Sequence, residues 1–323
     1  QQPTSRPQRQ CLAAQQGTHL SQDSASRYFT EQNNQPRLGH LKTLQMQGKW
    51  AEWDARSNKD LTWQKLLHGM TDSMLKWCLN AANDSLPTWD NLRRWSRATI
   101  CLKCKCCGHP KPTLAHVLNG CFVALKQGRY SFRHDEVLNT IATAIATFIQ
   151  SIPTPTPTLI SFVRAGEKGS QRVQSRPGIL PKAVDWVLTQ DQKRCPAPFP
   201  AHIAITDKRP DIVVYSPSLR TVIMIELTCP TEDNIAGTYA SSKRERYDAL
   251  VRECIANGWS PLLYTVVVGS RGYCAGSVRD CLLELGMDKS LANRTVQEAS
   301  SVASRCSYII YTRRNNKEWI PPT

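Results

Sequence analysis

The chain has 323 residues, which is too long for one ordinary single-core domain and predicts two or three domains. A hydrophobic fraction of 41% is enough to build cores, but no stretch approaches the ~18 uninterrupted apolar residues of a membrane helix, so we expect a soluble protein with no membrane partner. The net charge of +15 attracts polyanions and favours a nucleic-acid partner, although charge alone specifies no base sequence.

The N-terminal segment and the cysteines give further information on domain organisation and on metal binding. Residues 1–35 are rich in Gln, Ser, Thr and Asn, and we expect a flexible tail or the edge of a larger domain. The thirteen cysteines are odd in number and no signal peptide precedes them, so reduced thiols and a metal site are favoured over disulfides. A first residue other than Met suggests a fragment of a longer protein.

Residues 36–100 are predicted to form a helical region. Apolar side chains from Trp63 to Cys78 recur at intervals of three and four, which predicts an amphipathic helix ending before Ser85. A second, shorter helix is expected at Trp89–Trp95, with Thr88 as its N-cap. Core packing is favoured over base stacking for these tryptophans.

Residues 101–150 contain a candidate zinc site, followed by a helix predicted at 137–149. The most regular ligand set is Cys104 and Cys107 in a Cys-x2-Cys turn, then His116 and Cys121, with a helix carrying the histidine. Four protein ligands leave no position for a reactive water, so a structural zinc ion is expected. The register stays open, because the alternatives are Cys101, Cys106 and His109. A cluster of free thiols without metal is the other interpretation.

Residues 151–180 are predicted to be a Pro/Thr-rich linker, and residues 181–323 an α/β domain. The alternating prolines after Ile152 favour an extended spacer and mark the domain boundary. Strands are expected at 212–215, 221–225 and 262–268, with a helix at about 236–257 between the last two.

Two acidic residues in this domain are candidate metal ligands. If residues 216–220 form a hairpin turn, paired positions have numbers that sum to roughly 436, which brings Asp211 and Glu226 opposite or diagonal to each other. Paired carboxylates suit Mg²⁺, which can activate water and neutralise charge on a scissile phosphodiester. Three further acids lie nearby and either support this site or lie on the surface: Asp207, Glu232 and Asp233.

A basic residue is expected to assist the metal. In many metal-dependent nucleases with such a carboxylate pair, the basic residue lies two positions after the second carboxylate, but Thr228 occupies that position here. The following helix offers Lys243, with Arg246 and Tyr247 on the same face. We therefore predict Lys243 as the displaced catalytic lysine and Tyr247 as its neighbour, contacting either phosphate or the lysine.

Residues 38–286 resemble the polyproteins of site-specific non-long-terminal-repeat retrotransposons that encode a restriction-like endonuclease, the group inserting into ribosomal RNA genes. The motifs that carry the resemblance are Asp84-Ser85-Leu86-Pro87-Thr88 with Asn91-Leu92 and Trp95, Cys104-x2-Cys107-Gly108, Thr113 to Cys121, Arg133-His134-Asp135-Glu136-Val137-Leu138, Arg209-Pro210-Asp211, Glu226-Leu227-Thr228, and Lys243 to Tyr247. The ordered set is specific, whereas each motif alone is weak.

The resemblance implies a nuclear protein with a reverse transcriptase domain upstream of this chain. It implies that the endonuclease nicks target DNA, that the new 3′ hydroxyl primes copying of the element RNA, and that the zinc motif helps to grip nucleic acid. No polymerase motif of the Tyr-x-Asp-Asp type occurs in these residues. Two alternatives remain open: a zinc-dependent nucleic-acid-binding module without cleavage, from a decayed element, and a folded relic with neither activity.

Overall fold

The computed structural model describes residues 22–43, 69–95, 103–153, 178–192, 195–232 and 239–322. These residues belong to two compact units, Gln1–Ala51 and Glu52–Thr323. The helices are α1 (Gln22–Thr43), α2 (Asp72–Ala82), α3 (Trp89–Trp95), α4 (Phe122–Lys126), α5 (Arg129–Gln150), α6 (Tyr239–Ala256), α7 (Gly276–Leu285) and α8 (Lys289–Thr312), with a π-helix at His116–Gly120 and a 3₁₀ helix at Leu180–Lys182. The described part of the chain has no helix that is long and apolar enough to cross a bilayer.

Helix α1 is the described element of the first unit. It includes Pro36, and the side chains described along it are exposed. The boundary predicted at residue 35 therefore falls inside a helix, and residues 22–35 are helical. The polar composition of this segment indicates only that its side chains bury little apolar surface. An exposed helix and a coil are both consistent with that composition.

A four-stranded mixed sheet forms the centre of the second unit. Its strands are β1 (Val187–Gln190), β2 (Ile212–Ser216), β3 (Thr221–Thr228) and β4 (Ser260–Val267), in that spatial order. Strands β1 and β3 each run antiparallel to β2, and β4 runs parallel to β3 after the crossover through α6. The predicted α/β class is thereby confirmed, whereas β1, α7 and α8 were not predicted.

Helices cover both faces of the sheet. On one face, Ile141 and Ile145 of α5 share a core with Ile223 and Ile225 of β3 and with Ala299 of α8. On the other, α6 contributes to a core of its own with β2 and β3, formed by Phe199, Ile203, Ala204, Val213, Val222, Met224, Tyr247, Leu250 and Cys254. Alternate residues of β3 therefore face opposite layers, as a strand buried on both sides requires.

Helix α5 shares a core with the sheet on the other side of the linker predicted at residues 151–180. The sequence assigned this helix to the zinc-binding segment, but its apolar side chains pack against the sheet. The zinc-binding segment itself packs on the end of α8, where Leu118 and Tyr130 share a core with Ile310 and Tyr311. A Pro/Thr-rich segment marks a connection in the chain and does not show which helices share a core; its residues 154–177 lie outside the described ranges.

The region before the cysteines is helical in two pieces. Helix α2 begins at Asp72 and not at Trp63, because Thr71 has an extended backbone and its side chain accepts a hydrogen bond from the Met74 amide. The predicted continuous helix is therefore wrong at this point, and residues 63–68 lie outside the described ranges. Helix α3 has the predicted bounds, with Thr88 Oγ1 accepting from the amide of Asn91 at 3.2 Å.

Candidate zinc centre and carboxylate pair

Four side chains converge beside α4 in the arrangement predicted from their spacing. Cys104, Cys107, His116 and Cys121 each present one potential ligand atom, and these atoms all lie within 4.8 Å of one another. The His116 Nε2 and Cys107 Sγ atoms are 3.4 Å apart. Three thiol sulfurs and one imidazole nitrogen are a donor set that tetrahedral Zn²⁺ prefers, so this cluster could hold a zinc ion.

A tight turn supplies the first two thiols. The Cys104 amide donates to the His109 carbonyl, and the Gly108 amide donates to the Cys104 carbonyl at 2.8 Å. Gly108 has φ +75°, a left-handed conformation that glycine adopts without steric cost. Burial opposes ionisation of Cys104, but hydrogen bonds from the backbone of Cys107 and Cys106 lower the pKa of its thiol. The turn therefore favours a thiolate at the first ligand position.

A π-helix supplies the other two ligands. In an α-helix, positions five apart point about 140° away from each other, so His116 and Cys121 would diverge. The wider π-helix at His116–Gly120 brings such positions closer to one side. The Tyr130 hydroxyl fixes this segment: it accepts from the Cys121 amide at 3.0 Å and lies 3.1 Å from the Val117 carbonyl oxygen.

The protonation states also suit metal binding. Burial, and then the neighbouring His109, lower the pKa of His116, which keeps its ring neutral and able to coordinate. Burial raises the pKa of Cys107 to about 12, so this thiol is protonated until a metal displaces the proton. Metal binding at this cluster is therefore coupled to proton release.

The alternative ligands have other contacts. Cys106 points to the C-terminal segment, where its Sγ donates to the Arg314 carbonyl at 3.0 Å. The His109 ring stacks on the His116 ring at a centroid distance of 4.5 Å, outside the ligand cluster. Cys101 lies outside the described residues.

The β2–β3 hairpin places the two residues with predicted metal-binding carboxylates at opposed backbone positions. Ile212 pairs with Ile225, so the next position in this register sets Asp211 opposite Glu226. The turn is stabilised by Asp185, whose carboxylate accepts from the hydroxyl of Ser216 at 2.6 Å and from the amide of Ser218 at 2.8 Å. Residues directly opposite each other in an antiparallel pair project from the same face, so the register is the one predicted, while a cation shared by the two carboxylates stays a prediction.

Neighbouring groups hold both carboxylates in place. Asp211 Oδ2 accepts from the Leu227 amide at 2.7 Å. Glu226 is buried, and its Oε2 lies 2.9 Å from the Tyr247 hydroxyl, which is also 3.1 Å from the Arg209 carbonyl oxygen. Burial, and then the charge of Glu226, raise the pKa of Tyr247 far above its ordinary value. The phenol therefore stays neutral and can donate a hydrogen bond to the carboxylate.

The predicted basic group lies on the helix that covers this pair. Lys243 occupies α6 one turn before Tyr247, but its side chain lies outside the described set. Arg246, next to Tyr247 in sequence, is exposed and its guanidinium lies 5.5 Å from the centre of the Tyr247 ring. The structure thus brings Tyr247 to Glu226 and places Lys243 on the same helix, while the contacts of the lysine stay a prediction.

His134 belongs to the motif at residues 133–138, and its sequence position alone predicted no role at the carboxylate pair. His134 Nε2 is 3.4 Å from Asp211 Oδ2, and its Nδ1 is 3.2 Å from Asp135 Oδ1. Burial opposes protonation of this imidazole, but the contacts with Asp135 and Asp211 outweigh it and raise its pKa to about 11. The run of three ionisable residues at 134–136 on a largely buried helix is the signal that could have indicated a role.

The three neighbouring acids differ in their surroundings. The Asp207 side chain is 87% exposed and pairs with Lys208 at 3.6 Å, so it lies on the surface. Glu232 is buried and its Oε2 accepts from Arg271 Nε at 2.8 Å, an ion pair that fixes the chain after β3. Asp233 lies outside the described residues.

The zinc segment is tied to the chain that follows β3. The Cys229 carbonyl accepts from Asn119 Nδ2 at 2.8 Å and from Arg133 Nη2 at 3.2 Å. Arg133 is 1% exposed, and its Nη1 also donates to the Leu118 carbonyl and to Ser307 Oγ. One buried guanidinium therefore joins the zinc segment, α8 and the chain directly after β3.

Within the described ranges, the Cys/His cluster is the only group of three or more potential metal ligands, so Asp211 and Glu226 form no such group. Mg²⁺ usually takes one or two protein carboxylates and completes its coordination with water and phosphate, so a pair of carboxylates is compatible with a Mg²⁺ site.

No protein-family model matches this chain. A search of curated proteins also finds no match.

Proposed function

We propose that this chain is a Mg²⁺-dependent endonuclease that nicks DNA. The observation that carries the proposal is the β2–β3 register, which sets Asp211 opposite Glu226 at one end of the sheet. Two carboxylates on one face give the hard oxygen ligands that Mg²⁺ prefers. The net charge of +15 attracts the phosphates of a nucleic-acid substrate.

In the proposed mechanism, Asp211 and Glu226 hold the cation. The metal, when bound, activates water and neutralises charge on the scissile phosphate. The Leu227 amide fixes Asp211, and the Tyr247 hydroxyl fixes Glu226. Lys243, one turn from Tyr247 on α6, is proposed to stabilise the charge that develops on the phosphate.

The wider biological setting is also a proposal. A mixed sheet in an α/β domain beside a Cys/His cluster is compatible with the restriction-like endonuclease that the resemblance implies. On this basis the chain is the C-terminal part of a retrotransposon polyprotein that follows a reverse transcriptase domain. Its proposed partners are target DNA and the element RNA, and its proposed location is the nucleus.

A second candidate function is nucleic-acid binding through the zinc segment without cleavage. The observation that favours it is a set of exposed lysines around the Cys-x2-Cys turn, namely Lys103, Lys105 and Lys111. Exposed cations on a metal-stabilised turn are suited to phosphate contacts, which add affinity without base specificity. Binding of DNA that weakens with salt, with no nicking under any divalent metal, would select this candidate.

The decisive experiment is a nicking assay on supercoiled plasmid with zinc-loaded protein. Wild-type protein is expected to nick in Mg²⁺ and not without added divalent metal, whereas Asp211→Asn and Glu226→Gln are expected to be inactive. Asp207→Asn is the matched control, because it removes an exposed carboxylate four residues before Asp211 and should retain activity. Full activity of Asp211→Asn would remove the assignment.

A further inference from the structure

His134 lies between an aspartate of its own helix and the aspartate at the beginning of β2. Its two ring nitrogens face Asp135 Oδ1 at 3.2 Å and Asp211 Oδ2 at 3.4 Å. The side chains of all three residues are at most a quarter exposed. The imidazole therefore spans two carboxylates in a place where its orientation is constrained on both sides.

The contact selects one oxygen of Asp211. Oδ2 accepts from the Leu227 amide at 2.7 Å and faces His134, so protein groups occupy two sides of this atom. Within the described residues, no hydrogen bond or ion pair is made by Oδ1. The carboxylate is thus anchored by one oxygen and can present the other to a ligand.

We propose that His134 is a positioning residue for the metal ligand Asp211. Together with the Leu227 amide it holds Oδ2, so that Oδ1 is directed toward a cation shared with Glu226. Asp135 holds the other ring nitrogen and fixes the plane of the imidazole. Groups that orient a metal-binding carboxylate in this way commonly change metal affinity by 10- to 100-fold when removed. The inference rests on the proposed nuclease function and adds a residue to that site.

The alternative is a purely structural role, in which His134 only stabilises the packing of α5 against the β2–β3 hairpin. The two roles differ in one measurable quantity, the affinity of the site for a divalent cation. A structural tie affects the free energy of unfolding and leaves the cation affinity of the folded protein unchanged. A positioning role changes that affinity in a protein that is still folded.

The test measures Mn²⁺ binding to zinc-loaded protein by electron paramagnetic resonance, alongside the Mg²⁺ concentration that gives half-maximal nicking. His134→Ala is expected to weaken Mn²⁺ binding by about 10- to 100-fold and to raise the Mg²⁺ requirement in parallel. His134→Gln should recover part of the loss, because its amide N–H can still reach Asp211. Mn²⁺ affinity of His134→Ala equal to wild type would overturn the proposal.

A second pair of variants keeps the test decisive if His134→Ala does not fold. Asp135→Asn and Glu136→Gln each remove one negative charge from neighbouring positions of α5, but of the two side chains only that of Asp135 contacts His134 in the described structure. Asp135→Asn should weaken Mn²⁺ binding several-fold and Glu136→Gln should not, and equal effects would contradict the inference. If wild-type protein neither binds Mn²⁺ nor nicks, the proposed function itself fails and this role fails with it.

Discussion

Replacing Arg133 with lysine should destabilise the protein while leaving its charge unchanged. The guanidinium makes three hydrogen bonds, to the Leu118 carbonyl at 3.0 Å, to Ser307 Oγ at 3.1 Å and to the Cys229 carbonyl at 3.2 Å. A lysine ammonium at the end of a linear chain cannot reach acceptors spread around a planar fork. Arg133→Lys is therefore expected to lose about two of the three bonds.

The size of the effect follows from burial. Hydrogen bonds that involve a charged group contribute about 1.5–3 kcal/mol each, so two lost bonds cost about 3 kcal/mol or more. Arg133 Nε is buried without a partner among the described residues, and lysine removes this donor, which offsets about 1 kcal/mol. The net expectation is a loss of about 2 kcal/mol, a large share of the ~5–15 kcal/mol stability of a typical protein.

The assay is urea denaturation followed by circular dichroism, with Arg305→Lys as the control. Arg305 is exposed on α8, the helix that Arg133 contacts through Ser307, so its replacement should change the free energy of unfolding by less than about 0.5 kcal/mol. Equal stabilities of the two variants would refute the claim that Arg133 joins the zinc segment to the chain directly after β3.

Three further predictions concern single groups. Cys104→Ala should lose its zinc, whereas Cys106→Ala and His109→Ala should keep about one ion per chain by mass spectrometry, and the opposite pattern would reject the ligand assignment. Tyr247→Phe should lower the free energy of unfolding by about 1.5–3 kcal/mol in urea, because a hydrogen bond to the Glu226 carboxylate is lost; an unchanged value would count against that bond. Burial opposes protonation of His134, but Asp135 and Asp211, with Cys229 nearby, raise its pKa from 6.5 to about 11. The stabilising effect of the protonated imidazole is therefore complete below pH 6.5 and declines as the pH rises toward 11. The stability difference between wild type and His134→Gln should therefore shrink from pH 6 to pH 9 in denaturation experiments, and a difference that grows would contradict the sign.

The strands and ligands that the sequence predicted share one property, namely that local chemistry determines them. The β2–β3 hairpin is marked by β-branched runs on both sides of Ser216-Pro217-Ser218, and Thr88 is an N-cap whose hydrogen bond lies within three residues. The candidate zinc ligands could be chosen because a Cys-x2-Cys turn is itself a local structure, and in the structure Gly108 adopts a left-handed conformation there.

The elements that were missed depend on contacts distant in sequence. Helix α8 buries mainly small side chains, including Ala299, Ala303 and Ser307, and these lack the large apolar groups by which the other helices were recognised. Its serines instead donate to the carbonyls of the loop after β4: Ser300 to Gly272 and Ser304 to Arg271. No pattern within the helix indicates such partners.

The same reason explains the unpredicted role of α5. Its apolar face was visible in the sequence, but its partner is the sheet on the far side of the Pro/Thr-rich segment. The position of His134 beside Asp211 depends on that packing, since the two residues are far apart in sequence. A prediction limited to local motifs could identify both residues and could not bring them together.

The position of a bound cation tests the central claim most directly. A crystal of zinc-loaded protein soaked in Mn²⁺ should show an anomalous peak between Asp211 and Glu226, about 2.0–2.3 Å from an oxygen of each carboxylate. Such a peak, with His134 still beside Asp211 Oδ2, is the result that the proposed mechanism predicts. A crystal in which Mn²⁺ binds elsewhere, with no peak beside Asp211 and Glu226, would contradict it.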